Sequence, residues 1–169
     1  MPYNSAIHDR KSTRRQGYDY SKPGLYFVTI CCQDRANLFG EVVNETMVLN
    51  DAGQNADACW REIPTHFPHA VLHEYVIMPN HVHGIIELVE MEGSSAPPTT
   101  TPAPFRSPSR TIGSIIRGYK IGVTKWMRQN TTVYNVWQRN YHERIIRNDQ
   151  SYQNISRYII ENPKNFFGK

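Results

Sequence analysis

The sequence predicts an α+β protein in which helices pack on an antiparallel sheet. Segments of strand length, rich in β-branched and aromatic residues, alternate along the chain with segments whose apolar residues recur at helical spacing. Two long strand segments, 70–78 and 81–89, are separated only by the turn-forming pair Pro79-Asn80, so they pair back on one another. Hydrophobic residues make up 39% of the chain and charged residues 20%, which is enough apolar material for a packed core.

In the first half of the chain, strand segments come before and after one short helix. β-branched and aromatic residues indicate the strands, and the pair Asn44-Glu45 between two short extended segments indicates a hairpin. Asn50 or Asp51 is suited to cap the helix, which ends ahead of Pro64. The predicted elements are strands at 26–32, 41–43 and 46–49, a helix from 50 or 51 to about 63, and strands at 70–78 and 81–89.

In the second half, helices come before and after one strand. Seven apolar residues at helical spacing, from Ile112 to Met127, predict the first of these helices. Asn148 is placed to cap the second helix and Pro163 to stop it. The predicted elements are a helix from 109 or 111 to 129, a strand at 133–146, and a helix from 149 to about 161.

Two segments lack any periodicity. Residues 1–22 are polar, basic and interrupted by Gly and Tyr, and they predict an N-terminal arm outside the core. Residues 92–109 are rich in Ser, Thr and Pro, a composition typical of flexible linkers. We therefore expect a single domain over 23–169 with a flexible insertion at about 92–109.

The charge of the chain is unevenly distributed. Residues 1–22 carry five Lys and Arg against two Asp and Glu, residues 23–105 carry two against ten, and residues 106–169 carry twelve against three. Two basic ends around an acidic middle indicate a polyanionic partner, nucleic acid above all, although a solvated basic surface also accounts for the pattern. No apolar segment reaches the roughly 18 residues of a membrane span. Three cysteines, two of them adjacent, predict a reducing cytoplasm rather than a disulfide framework.

Two residue pairs are candidates for chemistry. His81 and His83 stand two positions apart in a predicted strand and therefore project from one face, where both imidazoles can bind the same metal ion. Tyr158 and Asn162 lie one turn apart on the last helix and share a face, which places a nucleophilic hydroxyl beside an amide oxygen. Structural roles stay open for all four: satisfied histidines, a core aromatic residue and a helix C-cap.

Three stretches of the chain together resemble the REP-associated tyrosine transposases, which are single-tyrosine HUH (His-hydrophobic-His) nucleases. The resemblance covers most of the chain and implies a ferredoxin-like or RRM-like sheet. It also implies that His81, His83 and Asn162 bind Mg²⁺ or Mn²⁺ and that Tyr158 is the nucleophile. The stretches are RRQGYDYSKPGLYFVTICCQDR, EYVIMPNHVHGIIEL and VWQRNYHERIIRNDQSYQNISRYIIENPKNF.

The function implied by the resemblance is cleavage and rejoining of single-stranded DNA at hairpin (REP-like) repeats through a 5′-phosphotyrosine intermediate. The alternative is a catalytically silent hairpin-binding protein of the same fold. A histidine phosphoesterase fits badly, because the chain lacks paired His-x-Thr/Ser motifs and has Ile85 where a further alternating histidine would stand.

Partners and location follow from the same resemblance. We expect a monomer in the bacterial cytoplasm, associated with nucleoid DNA and with no membrane contact. Basic residues mixed with aromatic rings suit phosphate binding and base stacking. The predicted DNA-binding residues are Arg10, Lys11, Arg14, Arg15 and Tyr18 of the arm and Arg117 and Lys120 of the helix that begins at 109 or 111.

Overall fold

The predicted order of elements is confirmed in a computed structural model of the protein, which describes residues 19–91 and 110–166. The strands are β1 (Gly24–Cys31), β2 (Gly40–Val43), β3 (Thr46–Leu49), β4 (Ala70–Met78), β5 (His81–Leu88) and β6 (His142–Ile146). The helices are α1 (Asp51–Arg61), α2 (Ile63–His66), α3 (Ile112–Asn130) and α4 (Asp149–Glu161). Short 3₁₀ turns follow β1 at Gln33–Arg35 and α4 at Asn162–Asn165.

The main sheet has four strands in the order β4-β5-β1-β6, and every neighbouring pair is antiparallel. β2 and β3 form a separate hairpin. Its turn residues Asn44 and Glu45 have φ values of 48° and 61°, the left-handed pair that suits the twist of a two-residue hairpin. The α+β fold class with an antiparallel sheet is therefore confirmed.

The sheet separates two apolar layers because successive side chains of a strand point to opposite faces. Tyr26, Val28 and Ile30 of β1 belong to the larger core, which α1 and α3 cover. Leu25 and Phe27 belong to the smaller layer on the other face, where α4 packs. The two layers thus place α3 and α4 on opposite sides of the sheet.

The strand predicted at 133–146 is wrong over its first half, since only His142–Ile146 forms a strand. The apolar residues that suggested a longer strand instead pack into the core: Val136 is buried, and the Trp137 ring lies 5.3 Å from that of Phe39. One isolated bridge joins Trp137 to Cys32. The segment therefore crosses the end of the sheet rather than extending it.

The first predicted helix ends ahead of Pro64 as expected, since α1 stops at Arg61; Pro64 itself lies in the first turn of the short helix α2, where a missing N–H costs nothing. Two predicted segments, most of the arm at 1–18 and the tract at 92–109, lie outside the described residues. Within the described ranges, no helix is both long and apolar enough to cross a membrane.

Candidate active site

His81 and His83 lie at the beginning of β5, on the face of the sheet that α4 covers. Their ring centroids are 4.5 Å apart, and the two residues are only 8% and 6% exposed. The strand brings them together because residues i and i+2 share a face, as the spacing predicted. Two buried imidazoles therefore converge on one point beneath α4.

Each imidazole is held through its Nδ1 atom. His81 Nδ1 lies 2.6 Å from Oδ1 of Asn80, and His83 Nδ1 lies 2.8 Å from Oγ1 of Thr29. An amide oxygen only accepts, so His81 carries its hydrogen on Nδ1 and presents an unprotonated Nε2. Thr29 is the direct partner of His83 in the β1–β5 ladder. Asn80 therefore fixes both the ring and the tautomer of His81, whereas Thr29, whose hydroxyl can donate or accept, holds the ring of His83.

Both imidazoles are neutral at physiological pH. Burial lowers the pKa of His81 to about 4 and that of His83 to about 3. The positive charge of Arg35 lowers both further, while a hydrogen bond between the side chains of His81 and Asn162 acts in the opposite direction on His81. Neutral imidazole is the form that binds metal ions.

Tyr158 projects from α4 over His83. Its hydroxyl lies 3.3 Å from His83 Nε2, and its ring meets that of Phe27 edge-on at 6.2 Å. α4 is amphipathic, and its buried residues Ile155 and Ile159 pack in the small apolar layer. The tyrosine lies at the margin of this contact and stays 50% exposed, so its hydroxyl is open to a large substrate.

Asn162 follows the last residue of α4 and is 7% exposed. Its backbone N–H bonds to the Ile159 carbonyl, which is the capping role, while its side chain is hydrogen-bonded to His81. Asn162 therefore caps α4 through its backbone and contacts the histidine pair through its side chain. The helix-capping role and a metal-binding role are compatible.

The donors assembled here suit a divalent metal ion. The two imidazole Nε2 atoms are borderline nitrogen donors, which also suit Zn²⁺ and Ni²⁺, and the Asn162 amide oxygen is a hard donor of the kind that Mn²⁺ and Mg²⁺ sites use. Within the described residues, no group of three or more His, Cys, Asp and Glu side chains forms another candidate centre. A metal ion at this point would be held by His81, His83 and Asn162.

Arg35 is a further charged residue of the site, which the sequence-based predictions did not include. It lies in the 3₁₀ turn after β1, where Asp34 and Arg35 adopt left-handed φ values of 53° and 54°. Its charge acts on both histidines. The only sequence signal is that the turn follows β1 directly.

The predicted DNA-binding residues of α3 are not near Tyr158, because α3 lies on the opposite side of the sheet. Arg117 is exposed on the outer surface of α3. Lys120 is partly buried, and its Nζ donates to the carbonyl oxygens of Gln138 and Asn140 at 2.9 Å each. Burial lowers the pKa of Lys120 to about 8. The predicted arm residues, Arg10 to Tyr18, lie outside the described part of the chain.

Comparison with known proteins finds two similar sequences. No protein-family model matches the chain. An uncharacterised protein of Haemophilus influenzae is 48% identical over 165 residues, which cover 95% of this chain and 92% of the relative. A second H. influenzae protein, named as a REP-associated tyrosine transposase, is 27% identical over 146 residues, 86% of this chain and 73% of the relative. The chain therefore resembles a REP-associated tyrosine transposase over most of its length.

A solved structure of a REP-associated tyrosine transposase bound to a REP hairpin has the same fold. Its TM-score is 0.62 at 21% identity, and the alignment covers 91% of this chain and 73% of that one. The likeness agrees with the antiparallel sheet and packed helices described above. The similarity to a REP-associated tyrosine transposase supports a transposase-like, DNA-processing function.

Proposed function

We propose that this protein acts as a REP-associated tyrosine transposase does, as a metal-dependent single-stranded DNA endonuclease and strand transferase. It would cleave and rejoin DNA at hairpin repeats through a 5′-phosphotyrosine intermediate on Tyr158. The observation that carries the proposal is the position of the half-exposed Tyr158 hydroxyl, 3.3 Å from Nε2 of a buried histidine pair. A nucleophile beside a set of metal-binding donors is what a phosphodiester transfer site requires.

In the cleavage step, the Tyr158 hydroxyl oxygen attacks the phosphorus atom of a phosphodiester. The bond between phosphorus and the 3′-oxygen breaks, and the 5′-phosphate stays attached to the tyrosine. The phenol proton leaves to solvent, to which half of the side chain is open, and the departing 3′-oxygen takes up a proton from solvent. Attack of a 3′-hydroxyl on the phosphotyrosine reverses these changes and rejoins a strand without external energy.

The surrounding residues position the reacting groups. Phe27 supports the Tyr158 ring from the side, and Thr29 and Asn80 hold the two imidazoles so that their Nε2 atoms are available. A divalent ion bound by His81, His83 and Asn162 would act as a Lewis acid toward the phosphodiester and neutralise charge developing on it. The positive charge of Arg35, which acts on both histidines, would also favour a phosphodiester bound beside them.

Hairpin DNA is the substrate class that the similarity to REP-associated tyrosine transposases supports, since a relative of the same fold is bound to a REP hairpin. The net charge of +4 agrees with a polyanionic substrate. A hairpin-binding protein without turnover is the alternative, and it differs from the proposal only in lacking the covalent step.

The proposal is tested by incubating the protein with labelled single-stranded hairpins and Mn²⁺ or Mg²⁺ and separating the products on a denaturing gel. We expect a slowly migrating protein–DNA band that disappears in Tyr158→Phe and persists in Tyr134→Phe, whose tyrosine is 64% exposed and distant in sequence. Hairpin binding without a covalent band, in the parent protein and with either metal, would leave only the non-catalytic alternative.

A further inference from the structure

His142, the first residue of the edge strand β6, projects from the same face of the sheet as the active site. In the β1–β6 ladder, Ile146 lies opposite Leu25, and both residues belong to the apolar layer in which α4 packs. His142 lies four residues earlier, opposite Thr29. Alternate residues of a strand share a face, and direct partners of an antiparallel ladder project to the same side. His142 therefore lies on the side of the sheet that carries Tyr158.

His142 also stands in one row with His83. Thr29 is the direct partner of His83 on β5 and of His142 on β6, so it lies between the two histidines. Neighbouring strands are about 4.8 Å apart, which separates the backbones of the two histidines by roughly 10 Å. Thr29 is small, and its hydroxyl is engaged by His83 Nδ1 at 2.8 Å. The row thus sets two imidazoles on either side of a short side chain, at a distance that a phosphodiester can span.

The side of the sheet where β6 lies is also the side from which Tyr158 is approached. The first half of α4 is anchored over β4, to which the Tyr152 hydroxyl is hydrogen-bonded. Tyr158 lies farther across the sheet, with its ring against His83 of β5 and Phe27 of β1. β6 is the next strand in the sheet, and its residue His142 is exposed. A phosphodiester bound at the half-exposed Tyr158 hydroxyl therefore lies between the tyrosine and His142.

The imidazole of His142 is available to a substrate. Among the residues that the structure describes, it forms no hydrogen bond, ion pair or ring contact. The other described histidines that lie under α4 are each held by a hydrogen bond within the protein: His73 by Glu87, His81 by Asn80 and His83 by Thr29. Imidazole gains and releases protons near neutral pH, which suits general acid and base catalysis.

We propose that His142 is a further catalytic residue, the general acid that protonates the departing 3′-oxygen. The inference rests on the proposed function, in which the Tyr158 hydroxyl oxygen attacks phosphorus. The attacking and leaving oxygens lie roughly in line, so the leaving oxygen is on the far side of phosphorus from Tyr158, which is the β6 side.

The proton transfers balance in both directions. As the bond between phosphorus and the 3′-oxygen breaks, the His142 imidazolium gives its proton to that oxygen, and solvent then restores the imidazolium. In rejoining, the neutral imidazole takes the proton of the attacking 3′-hydroxyl, while the departing tyrosine oxygen is protonated by solvent. His142 thus supplies from the protein the proton that the 3′-oxygen would otherwise take from solvent.

The test compares two substrates in single-turnover cleavage by the full chain with Mn²⁺. Both are labelled hairpins, and they differ only at the bond that the parent protein cuts, where one has the natural 3′-oxygen and the other a sulfur atom in its place. Sulfur departs as a thiolate without needing a proton. We expect His142→Gln to cut the oxygen substrate about 100- to 10,000-fold more slowly than the parent, and to cut the sulfur substrate at the parent's rate.

The controls separate proton transfer from effects on structure or binding. His142→Thr repeats the comparison with a residue that suits an edge strand. His66→Gln removes another exposed histidine, in α2, whose residue Ile63 packs in the core on the other side of the sheet, and it should cut both substrates at the parent's rate. Hairpin affinity and thermal unfolding are measured for every variant and should match those of the parent.

Each outcome decides between the two claims. A loss of rate on the oxygen substrate alone supports proton donation by His142. An equal loss on both substrates in both His142 variants, or no loss in either, overturns this role, while the Tyr158 adduct formed by the parent leaves the proposed function intact. A parent protein that forms no adduct with any hairpin overturns the proposed function and the role of His142 together.

Discussion

Thr29 controls the orientation of His83, although its hydroxyl is not among the donors that face Tyr158. The contact of 2.8 Å between Thr29 Oγ1 and His83 Nδ1 fixes the ring so that Nε2 points toward the tyrosine. Such a contact matters for metal binding, because an imidazole that is free to rotate must be ordered when the metal binds, and the cost of ordering weakens the affinity.

We expect Thr29→Val to weaken Mn²⁺ binding by about 10–100-fold while the protein stays folded. Valine keeps the shape of threonine and removes only the group that holds His83. Calorimetric titration with Mn²⁺ measures the change, and Thr46→Val, which removes an exposed hydroxyl of the β2–β3 hairpin, should leave affinity unchanged. Equal affinities for parent and Thr29→Val would show that His83 needs no support from β1.

The four residues that carry the proposed chemistry were predictable, because each pair lies close in sequence. The i, i+2 spacing of the histidines and the i, i+4 spacing of Tyr158 and Asn162 place each pair on one face whatever the rest of the chain does. The residues that support them were not predictable. Thr29 contacts His83 although the two are 54 residues apart in sequence, and the position of Arg35 depends on a left-handed turn.

At the scale of elements, a β-bulge in β4 anchors α4 to the sheet. The β4–β5 register shifts between Leu72 and Tyr75, which brings both intervening residues, His73 and Glu74, into contact with Tyr152 of α4. The Tyr152 hydroxyl donates to Glu74 Oε2 at 2.8 Å and lies 3.0 Å from His73 Nδ1. The bulge thus ties down the half of the helix that precedes Tyr158.

Replacing Tyr152 with phenylalanine removes both contacts. We expect the free energy of unfolding to fall by about 1 kcal/mol, because the lost partners are only partly buried. The rate of adduct formation by Tyr158 should fall as well, since α4 is less firmly placed, while hairpin affinity stays the same.

Urea unfolding and the single-turnover rate of adduct formation check the Tyr152→Phe prediction. The matched control is Tyr134→Phe, which removes an exposed hydroxyl away from the sheet. A loss of stability with an unchanged adduct rate would mean that the bulge stabilises the fold without positioning the nucleophile.

Most elements could be predicted because their signals are local. Asn50, Thr111 and Asn148 cap α1, α3 and α4, each accepting from the backbone N–H three residues on. The segment 133–141 could not be predicted, because its apolar residues pack into a core built by distant parts of the chain. The bulge at 73 and 74 likewise depends on which strand β4 pairs with.

Across the whole molecule, some basic residues are exposed to solvent, whereas others form hydrogen bonds within the protein. Arg117 is exposed on α3, whereas Lys120, three residues later, donates to two backbone carbonyl oxygens. The unequal charge distribution of the sequence therefore overstates the number of side chains that are free to contact DNA.

Replacing Lys120 and replacing Arg117 of α3 should have different effects on stability and on DNA binding. Lys120→Met should cost about 1–3 kcal/mol of stability, because two carbonyl oxygens lose their donor. Arg117→Ala should change stability by less than about 0.5 kcal/mol. If Arg117 contacts a phosphate, its removal lowers the slope of log affinity against log salt by about 1. Urea unfolding measures the stability of each variant, and fluorescence anisotropy at several salt concentrations measures its DNA affinity. A loss of stability in Arg117→Ala with none in Lys120→Met would contradict this account.

The central claim is that Tyr158 becomes covalently bound to the 5′ end of cleaved DNA. It is tested most directly by digesting the protein–DNA adduct with protease and nuclease and locating the modified residue by tandem mass spectrometry. The account predicts a 5′-nucleotide in phosphodiester linkage to the Tyr158 hydroxyl, with a free 3′-hydroxyl on the released fragment. A nucleotide on any other residue, or a 3′-linked adduct, would contradict it.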